Sequence, residues 1–193
     1  MPYVHILPNH NTIIDNTTHE AVMSEYKTES EKRKHRACFT GHRPWKVPVS
    51  EFTLRNIVSR SIAQAISEGF TTFISGMAQG FDIVSAETVL EYRKNNASIH
   101  LICAVPYPTF DHSWNQHWHT RCQHVISKAD LVLSISPEYS PHCYQSRNEW
   151  MVQHASLVIA LYLNIPSGTK NTIDYAKSIG VEVRQLRITE QTK

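Results

Sequence analysis

The segment Thr72–Asp82 has the sequence TFISGMAQGFD. Its first residues form a short β-branched and aromatic run, which is typical of a buried strand. Gly76 and Gly80 then interrupt the run, and apolar residues at helical spacing follow from Ile83 onward. A strand, a glycine-bearing turn and a helix start form a place where backbone N–H groups can meet an anion. The same pattern fits a plain turn in which Asp82 caps its helix, and the sequence leaves both interpretations open.

Further strand-and-helix units flank this segment on both sides. We predict strands at residues 37–40, 70–74, 99–105, 131–135 and 157–163 and from residue 181. Between them we predict helices that start after Ser50, after Asp82, near residue 113, around Arg147 and near residue 172. Strict alternation with near-continuous apolar strands predicts an α/β fold, a Rossmann-like three-layer sandwich with a mainly parallel sheet of about six strands.

The beginning of the chain differs in composition from the rest. Residues 1–35 are mostly polar and end in a mixed charge run, which predicts an irregular or partly disordered lead-in. We interpret that charge run as a solvated approach to the first strand. The remaining residues, 36–193, suit one compact domain with a full α/β core.

Composition limits the partners that we expect. Lys and Arg number 19 against 17 Asp and Glu, and this near balance does not favour nucleic acid or an anionic membrane as the main partner. The 4 cysteines form no C-x-x-C motif and are expected to be reduced thiols. The start of the chain has no apolar secretion segment, and the longest apolar run, 157–163, is too short to cross a bilayer. We therefore expect a cytoplasmic protein with no membrane partner, and we leave a homodimer open.

The predicted topology collects several notable loops at one place. Right-handed crossovers in a parallel sheet put every strand-to-helix loop at the carboxyl edge. The loops there carry glycines, small hydroxyl residues and arginines, which indicates a ligand site rather than turns alone. We expect Arg43 and Arg147 to contact the same anion, because the strands that precede them, the first and the fourth, should be neighbours at the switch point.

These loops resemble the motifs of a known superfamily. Residues 39–44, FTGHRP, look like the signature that follows the first strand in YpsA-type proteins, and residues 75–82, SGMAQGFD, are similar to the DprA pattern S-G-L-A-R-G-I-D. The helix start at 147–152 and the loop at 167–172 complete the YpsA-type set. The ordered combination resembles the SLOG superfamily of Rossmann-like proteins over residues 37–183; DprA and the LOG phosphoribohydrolases also belong to it.

The resemblance implies a nucleotide or nucleotide-derived ligand at the carboxyl edge, with a sensing or regulatory role and no required cofactor. We expect phosphate to be held by the loops Gly76–Gly80 and Gly168–Thr172, with positive charge from Arg43 and Arg147. Asp82 would cap its helix or accept from ribose hydroxyls. The expected ligand-binding residues are Gly41, His42, Arg43, Ser75, Gly76, Met77, Gly80, Asp82, Arg147, Asn148, Ser167, Gly168, Thr169, Asn171 and Thr172.

Two other functions follow from the same resemblance. LOG enzymes cleave N-glycosidic bonds and carry P-G-G-x-G-T-x-E-E, whereas this chain has Pro-Ser-Gly at 166–168 and Asp174 as the nearest carboxylate. Arg147 matches the LOG catalytic arginine, so Arg147 and Asp174 are the candidate catalytic residues of a nucleotide N-glycosidase. DprA-like binding of single-stranded DNA is the third hypothesis, although the chain has no marked basic excess. We expect the protein to bind more than it hydrolyses.

Histidines are frequent on the predicted helix near residue 113. His117, Arg121 and His124 would share one face of that helix, where the arginine would repel a metal cation. His119 and Cys122 are close in sequence, but no further ligand is evident. We therefore predict a solvent-facing histidine-rich helix and no metal site.

Two tyrosines occur near the fourth strand-to-helix connection. Tyr139 and Tyr144 lie in or beside a long predicted loop that also holds prolines. Their rings could stack on a base, or they could close that loop on the sheet. The sequence favours neither role.

Overall fold

The computed structural model describes residues 28–188, so residues 1–27 of the predicted lead-in (1–35) and the last five residues lie outside the described part. No helix within that range is long and apolar enough to span a bilayer. A 3₁₀ turn covers Pro44–Lys46. The other elements are α1 (Glu29–Lys34), β1 (Arg36–Gly41), α2 (Glu51–Ser67), β2 (Thr72–Ser75), α3 (Phe81–Asn95), β3 (His100–Val105), α4 (Gln116–Ile126), β4 (Leu131–Ser134), α5 (Cys143–Gln153), β5 (Leu157–Leu161), α6 (Gly168–Ser178) and β6 (Glu182–Gln185).

The six strands form one sheet in the order β4-β3-β2-β1-β5-β6, and every pair is parallel. This confirms the predicted α/β, Rossmann-like fold. Strand β1 is central, and its Ala37 is in register with Phe73 of β2 and Leu157 of β5. The expectation that the first and fourth strands are neighbours is wrong, because β2, β3 and β4 follow one another to the edge before the chain returns to β5. The alternation of strands and helices along the sequence predicts the strands, but it does not predict that β5 pairs with β1.

The sheet is buried on both faces, as the near-continuous apolar strands predict. Successive residues of β1 point to opposite sides: Ala37 and Phe39 belong to the core under α2, α3 and α4, and Cys38 belongs to the core under α5 and α6. Helices therefore cover each face, and the predicted three-layer arrangement is confirmed.

Helix α2 has the termini that the sequence predicts. The side chain of Ser50 accepts a hydrogen bond from the Thr53 N–H at 3.1 Å, as an N-cap does. Gly69 lies beyond the last turn with φ +93°, a left-handed conformation that favours glycine. The mixed charge run before β1 contains the short helix α1, whose N-terminus has a capping box between Thr28 and Glu31.

Two helix starts differ from the sequence interpretation. Gly80, with φ +90°, is the N-cap of α3, so Asp82 lies in the first turn and is not the cap. Helix α6 starts at Gly168 rather than near Thr172. Residues 168–172 are polar and rich in hydroxyl groups, so their sequence resembles a loop. In the structure the Thr172 hydroxyl donates to the Gly168 carbonyl at 2.8 Å, so this polar side chain has a hydrogen-bond partner within the helix.

An ionic network joins α2, α3 and α4 on the outside of the sheet. The guanidinium of Arg121 donates to both oxygens of Glu87, each at 2.7 Å, and to both oxygens of Glu51, at 2.8 and 2.9 Å. The same guanidinium lies 4.6 Å from the ring centre of Trp118, in cation–π geometry. These contacts keep the pKa of Glu87 below its ordinary value, despite the opposing effect of burial. Three helices are thus fixed relative to one another by one side chain.

We expect Arg121→Met to lower the free energy of unfolding by about 2–3 kcal/mol, because Glu87 would remain mostly buried with only Arg55 as a cationic partner. Lys94→Met is the matched control, since the Lys94–Glu91 pair is exposed and should contribute less than about 1 kcal/mol. Urea unfolding of the two variants measures the difference. Equal losses would show that the network has no special role.

A histidine connects the loops that follow β1 and β5. The Nε2 atom of His42 accepts a hydrogen bond from the Leu163 N–H at 3.1 Å, so the neutral ring carries its proton on Nδ1. The ring also packs on Tyr162, with 5.7 Å between ring centres. His42 is 2% exposed, and burial followed by the positive charge of Lys46 lowers its pKa from the ordinary value of 6.5. The neutral ring is therefore the form that holds these two loops together.

This lowered pKa makes the stability depend on pH. As the pH falls below 6.5, the unfolded chain takes up a proton at His42 that the folded protein resists, so the free energy of unfolding should fall. We expect a smaller fall in His42→Gln, whose amide oxygen can still accept from Leu163. Unfolding at about pH 7.5 and about pH 5.5 tests this, because both values lie above the carboxylate range. Identical pH dependence in the two proteins would contradict the assignment.

Candidate functional site

The site lies where the strand order reverses. The carboxyl ends of all parallel strands lie at one edge of the sheet. Strand β1 has β2, the next strand in sequence, on one side and β5 on the other side. The loops after β1 and β5 therefore diverge, which leaves a crevice of the kind that binds ligands in open α/β sheets. A cavity of about 280 Å³ occupies this crevice.

The cavity wall combines the end of β1 and the loop after it, the starts of α5 and α6, Ala78 of the loop after β2, and Asp82 of the first turn of α3. Its cationic side chains are Arg43, Lys46 and Arg147, and its carboxylate is Asp82. The full lining is Thr40, Gly41, His42, Arg43, Lys46, Ala78, Asp82, Tyr144, Arg147, Asn148, Ser167, Gly168 and Thr169. The wall therefore carries a net positive charge.

Arg147 is the buried cation of the cavity wall. It belongs to α5 and is only 4% exposed, and its Nη1 atom donates to the Gly76 carbonyl. The same Nη1 lies 3.9 Å from Oδ2 of Asp82, while the buried Nε has no hydrogen-bond partner among the described residues. Burial lowers the pKa of Arg147, but the Asp82 carboxylate opposes the shift, and a guanidinium keeps its charge in proteins. The site thus has a buried cation with an unused donor.

The glycines of the loop after β2 make room for this arginine, and only Ala78 of that loop lines the cavity. A side chain at Gly76 would overlap the guanidinium of Arg147, and one at Gly80 would lie 2.7 Å from Cδ of Pro44. Ser75, Gly76, Met77 and Gly80 are all buried, and none of them reaches the cavity wall. The close approach of Arg147 explains why residue 76 is a glycine.

Two N–H groups of that loop are already used. The N–H of Ala78 donates to Oδ2 of Asp82 at 3.3 Å, and the N–H of Met77 donates to the side chain of Ser75 at 3.2 Å. Asp82 is buried, and burial raises its pKa while Arg147 and Arg43 act in the opposite direction. The carboxylate thus pairs with Arg147 and occupies the place where an anion on this loop would bind.

The start of α6 is open instead. Ser167 is the extended N-cap residue, yet its side chain caps no N–H, and its Oγ has no partner among residues 28–188. The first N–H groups of a helix have no partner within the helix, and the helix dipole favours negative charge there. Space is available as well, because a side chain at Gly168 would meet only the Asn148 amide, at 3.9 Å. Of the two predicted phosphate loops, this one contributes Gly168 and Thr169 to the cavity wall, whereas Gly76–Gly80 contributes only Ala78.

Four residues of the wall were not in the predicted ligand-binding set: Thr40, Lys46, Ala78 and Tyr144. Lys46 adds a charge and Tyr144 an aromatic ring, which the sequence had suggested only as a ring that could stack on a base. Tyr144 packs edge to face on Tyr107, with 6.2 Å between ring centres. Burial, followed by a hydrogen bond with Tyr107, raises the pKa of Tyr144 to about 12, so the phenol stays neutral. A basic residue three positions after Arg43, and a tyrosine one helical turn before Arg147, were the sequence signals for these two residues.

The structure does not bring the two candidate catalytic residues together. Asp174 lies in the second turn of α6, about half exposed, with Nζ of Lys170 2.5 Å from its carboxylate oxygens. It is not part of the cavity wall, and neither are Asn171 and Thr172. Its place follows from the earlier start of α6, which moves residue 174 away from the helix N-terminus.

Two histidines of the histidine-rich helix α4 contact charged side chains of the protein. Nδ1 of His119 lies 3.0 Å from the buried carboxylate of Asp111, and Nε2 of His117 lies 3.2 Å from Arg121. Within the described residues no group of three or more His, Cys, Asp or Glu side chains is placed to hold a metal ion. The prediction that the protein needs no metal stays a prediction.

Comparison with known proteins agrees with this architecture. The chain is 29% identical over 117 residues to the uncharacterized SPbeta prophage-derived protein YoqJ of Bacillus subtilis, which spans 54% of this chain and 68% of YoqJ. It is 22% identical over 111 residues to a UPF0398 protein of Staphylococcus aureus, which spans 56% of this chain and 59% of that protein.

Two solved structures share the fold. DNA processing protein A from Helicobacter pylori, whose structure was described for its single-stranded DNA binding mode, has a TM-score of 0.59 at 17% identity over 86% of this chain and 70% of that chain. DprA from Streptococcus pneumoniae has a TM-score of 0.61 at 19% identity over 82% of this chain and 52% of that chain. This chain therefore spans only about half of the pneumococcal protein, and identities this low show the fold alone.

A family model places the chain more specifically. The YpsA model, described as the YspA SLOG family, matches residues 37–185. That range contains every residue of the cavity wall and all six strands except Arg36, the first residue of β1. It confirms the resemblance found in the sequence, and the protein belongs to the YspA SLOG family.

Proposed function

We propose that this protein binds a nucleotide or nucleotide-derived ligand in the cavity between the loops after β1 and β5. The phosphate binds at the start of α6, against Ser167, Gly168 and Thr169, and within reach of Arg147. The main support is that two groups without a partner among residues 28–188, the N-terminus of α6 and the buried Nε of Arg147, belong to residues that line the same cavity. Each is a good anion partner, and their combination supports a phosphate rather than a neutral group.

The charge and size of the cavity support the same ligand class. Arg43, Lys46 and Arg147 together outnumber the single carboxylate of Asp82 in the wall. The volume of about 280 Å³ is close to the lower limit of roughly 300 Å³ for small-molecule sites. It suits a phosphate with its sugar better than a whole dinucleotide, whose remainder would extend outside the cavity.

The arrangement of carboxylates favours binding over N-glycosidic cleavage. A positive charge that develops on ribose needs a carboxylate beside it. Among the described residues, the cavity offers only Asp82, which is buried and pairs with Arg147, while Asp174 pairs with Lys170 outside. Release of free base from adenosine 5′-monophosphate that Asp82→Asn or Asp174→Asn abolishes would establish the glycosidase instead.

Single-stranded nucleic acid is a second candidate ligand, favoured by one surface feature. Trp45 is 72% exposed and lies in sequence between Arg43 and Lys46, both of which line the cavity. An exposed aromatic ring between cations is typical of surfaces that stack bases and neutralise phosphates. Oligonucleotide binding that weakens steeply with salt and is lost in Trp45→Ala would support this candidate. Binding that is indifferent to both would remove it.

The phosphate seat is tested by Ser167→Asp. Aspartate is a good N-cap, so the folded protein should keep its stability, but the new carboxylate occupies the anion position and repels phosphate. We expect the dissociation constants for inorganic phosphate and for adenosine 5′-monophosphate to rise about tenfold or more, as measured by calorimetry.

The matched control is Asn96→Asp, which adds the same charge at the opposite edge of the sheet. Its side-chain oxygen can still accept from the Ser98 N–H, as Asn96 does at 3.1 Å. We expect unchanged binding in this variant. Equal losses in the two variants would show a general charge effect, and no loss in Ser167→Asp would place the anion elsewhere.

A further inference from the structure

Three tyrosine rings from different connections meet beside the cavity. Tyr107 follows β3, Tyr139 lies in the loop after β4, and Tyr144 lies in the first turn of α5. Tyr107 packs edge to face on both of the others, with ring centres 5.6 Å from Tyr139 and 6.2 Å from Tyr144. We call this group the tyrosine cluster, and Tyr107 is its centre.

Only one member of the tyrosine cluster reaches the cavity. Tyr144 lines the wall and is 37% exposed, so part of its ring remains open to a ligand. It precedes Arg147 and Asn148 by three and four positions on α5, which puts all three on one face of that helix. The edge-to-face contact with Tyr107 orients the ring. The cavity therefore has a fixed aromatic wall on the same helix face as its buried cation.

We propose that Tyr144 is the platform on which a planar ring of the ligand stacks, with Tyr107 as its positioning residue. This inference rests on the proposed function, because it requires a phosphate at α6 and Arg147. It narrows the ligand to phosphates that carry an aromatic base, and it sets aside sugar phosphates and inorganic polyphosphates. A neutral, oriented phenol ring presents a face that any nucleobase can stack on, whatever its hydrogen-bonding pattern.

The tyrosine cluster could instead serve only to close the loop after β4 on the sheet. In that case the Tyr107–Tyr139 contact would matter as much as Tyr144, and the loss of either outer ring would weaken all ligands alike. Base stacking predicts a different pattern of affinity losses. It requires a loss that is confined to Tyr144 and to ligands that contain a base.

The test compares ligands that share a phosphate and a sugar. Calorimetry on the wild-type protein gives dissociation constants for the four common nucleoside 5′-monophosphates and for ribose 5-phosphate. We expect at least one nucleotide to bind about tenfold or more tightly than ribose 5-phosphate, which is the effect of stacking one base. If every nucleotide binds no better than ribose 5-phosphate, stacking is overturned while the phosphate seat stands. If none of the five compounds binds, both proposals are overturned.

Three variants then locate the effect. Tyr144→Leu should reduce that preference to less than about threefold without changing the affinity for ribose 5-phosphate, and Tyr144→Phe should keep the preference. Tyr139→Leu, in the same cluster but outside the wall, should keep it as well. If Tyr144→Leu does not fold by circular dichroism, Tyr144→Gln takes its place. A preference that survives the loss of the Tyr144 ring, or that Tyr139→Leu removes equally, overturns the proposal.

Discussion

The guanidinium of Arg147 is buried between the Gly76 carbonyl and the Asp82 carboxylate, and the site depends on this placement. A buried cation is costly unless it is paired and hydrogen-bonded. Asp82 supplies the paired charge, and the absence of a side chain at Gly76 lets the guanidinium lie against the backbone. Three elements, α5, the loop after β2 and the first turn of α3, are held in one arrangement as a result. The Arg147 side chain, whose buried Nε has no hydrogen-bond partner among residues 28–188, lines the same cavity as the start of α6.

The two glycine-bearing loops of the carboxyl edge therefore have different roles. In the loop after β2, Asp82 accepts the Ala78 N–H and the Arg147 guanidinium lies against Gly76. The start of α6 is free, because Ser167 makes no capping bond and Gly168 leaves space in front of the helix. A carboxylate already acts as the anion at one helix start. The other can receive the anion of a ligand.

Much of the fold follows from the sequence, since apolar strands alternating with helices leave few arrangements other than a parallel three-layer sheet. The motifs also led to Arg147, Gly76 and Asp82 as members of one site. What they do to one another could not be predicted, because it depends on which strands are neighbours and on where α5 crosses the sheet. The start of α6 was misplaced for a local reason. Its first turn is polar and resembles a loop in sequence. Within the helix such side chains can bond to the backbone, as the Thr172 hydroxyl does to the Gly168 carbonyl.

The central claim is that a phosphate binds between α6 and Arg147. Amide and arginine side-chain ¹H–¹⁵N spectra, recorded while inorganic phosphate and adenosine 5′-monophosphate are added, test it most directly. We predict the largest changes at the Gly168 and Thr169 amides and at the Nε–H of Arg147, which has no hydrogen-bond partner among residues 28–188. Changes confined to the amides of residues 77–80, or to residues remote from the cavity, would contradict it.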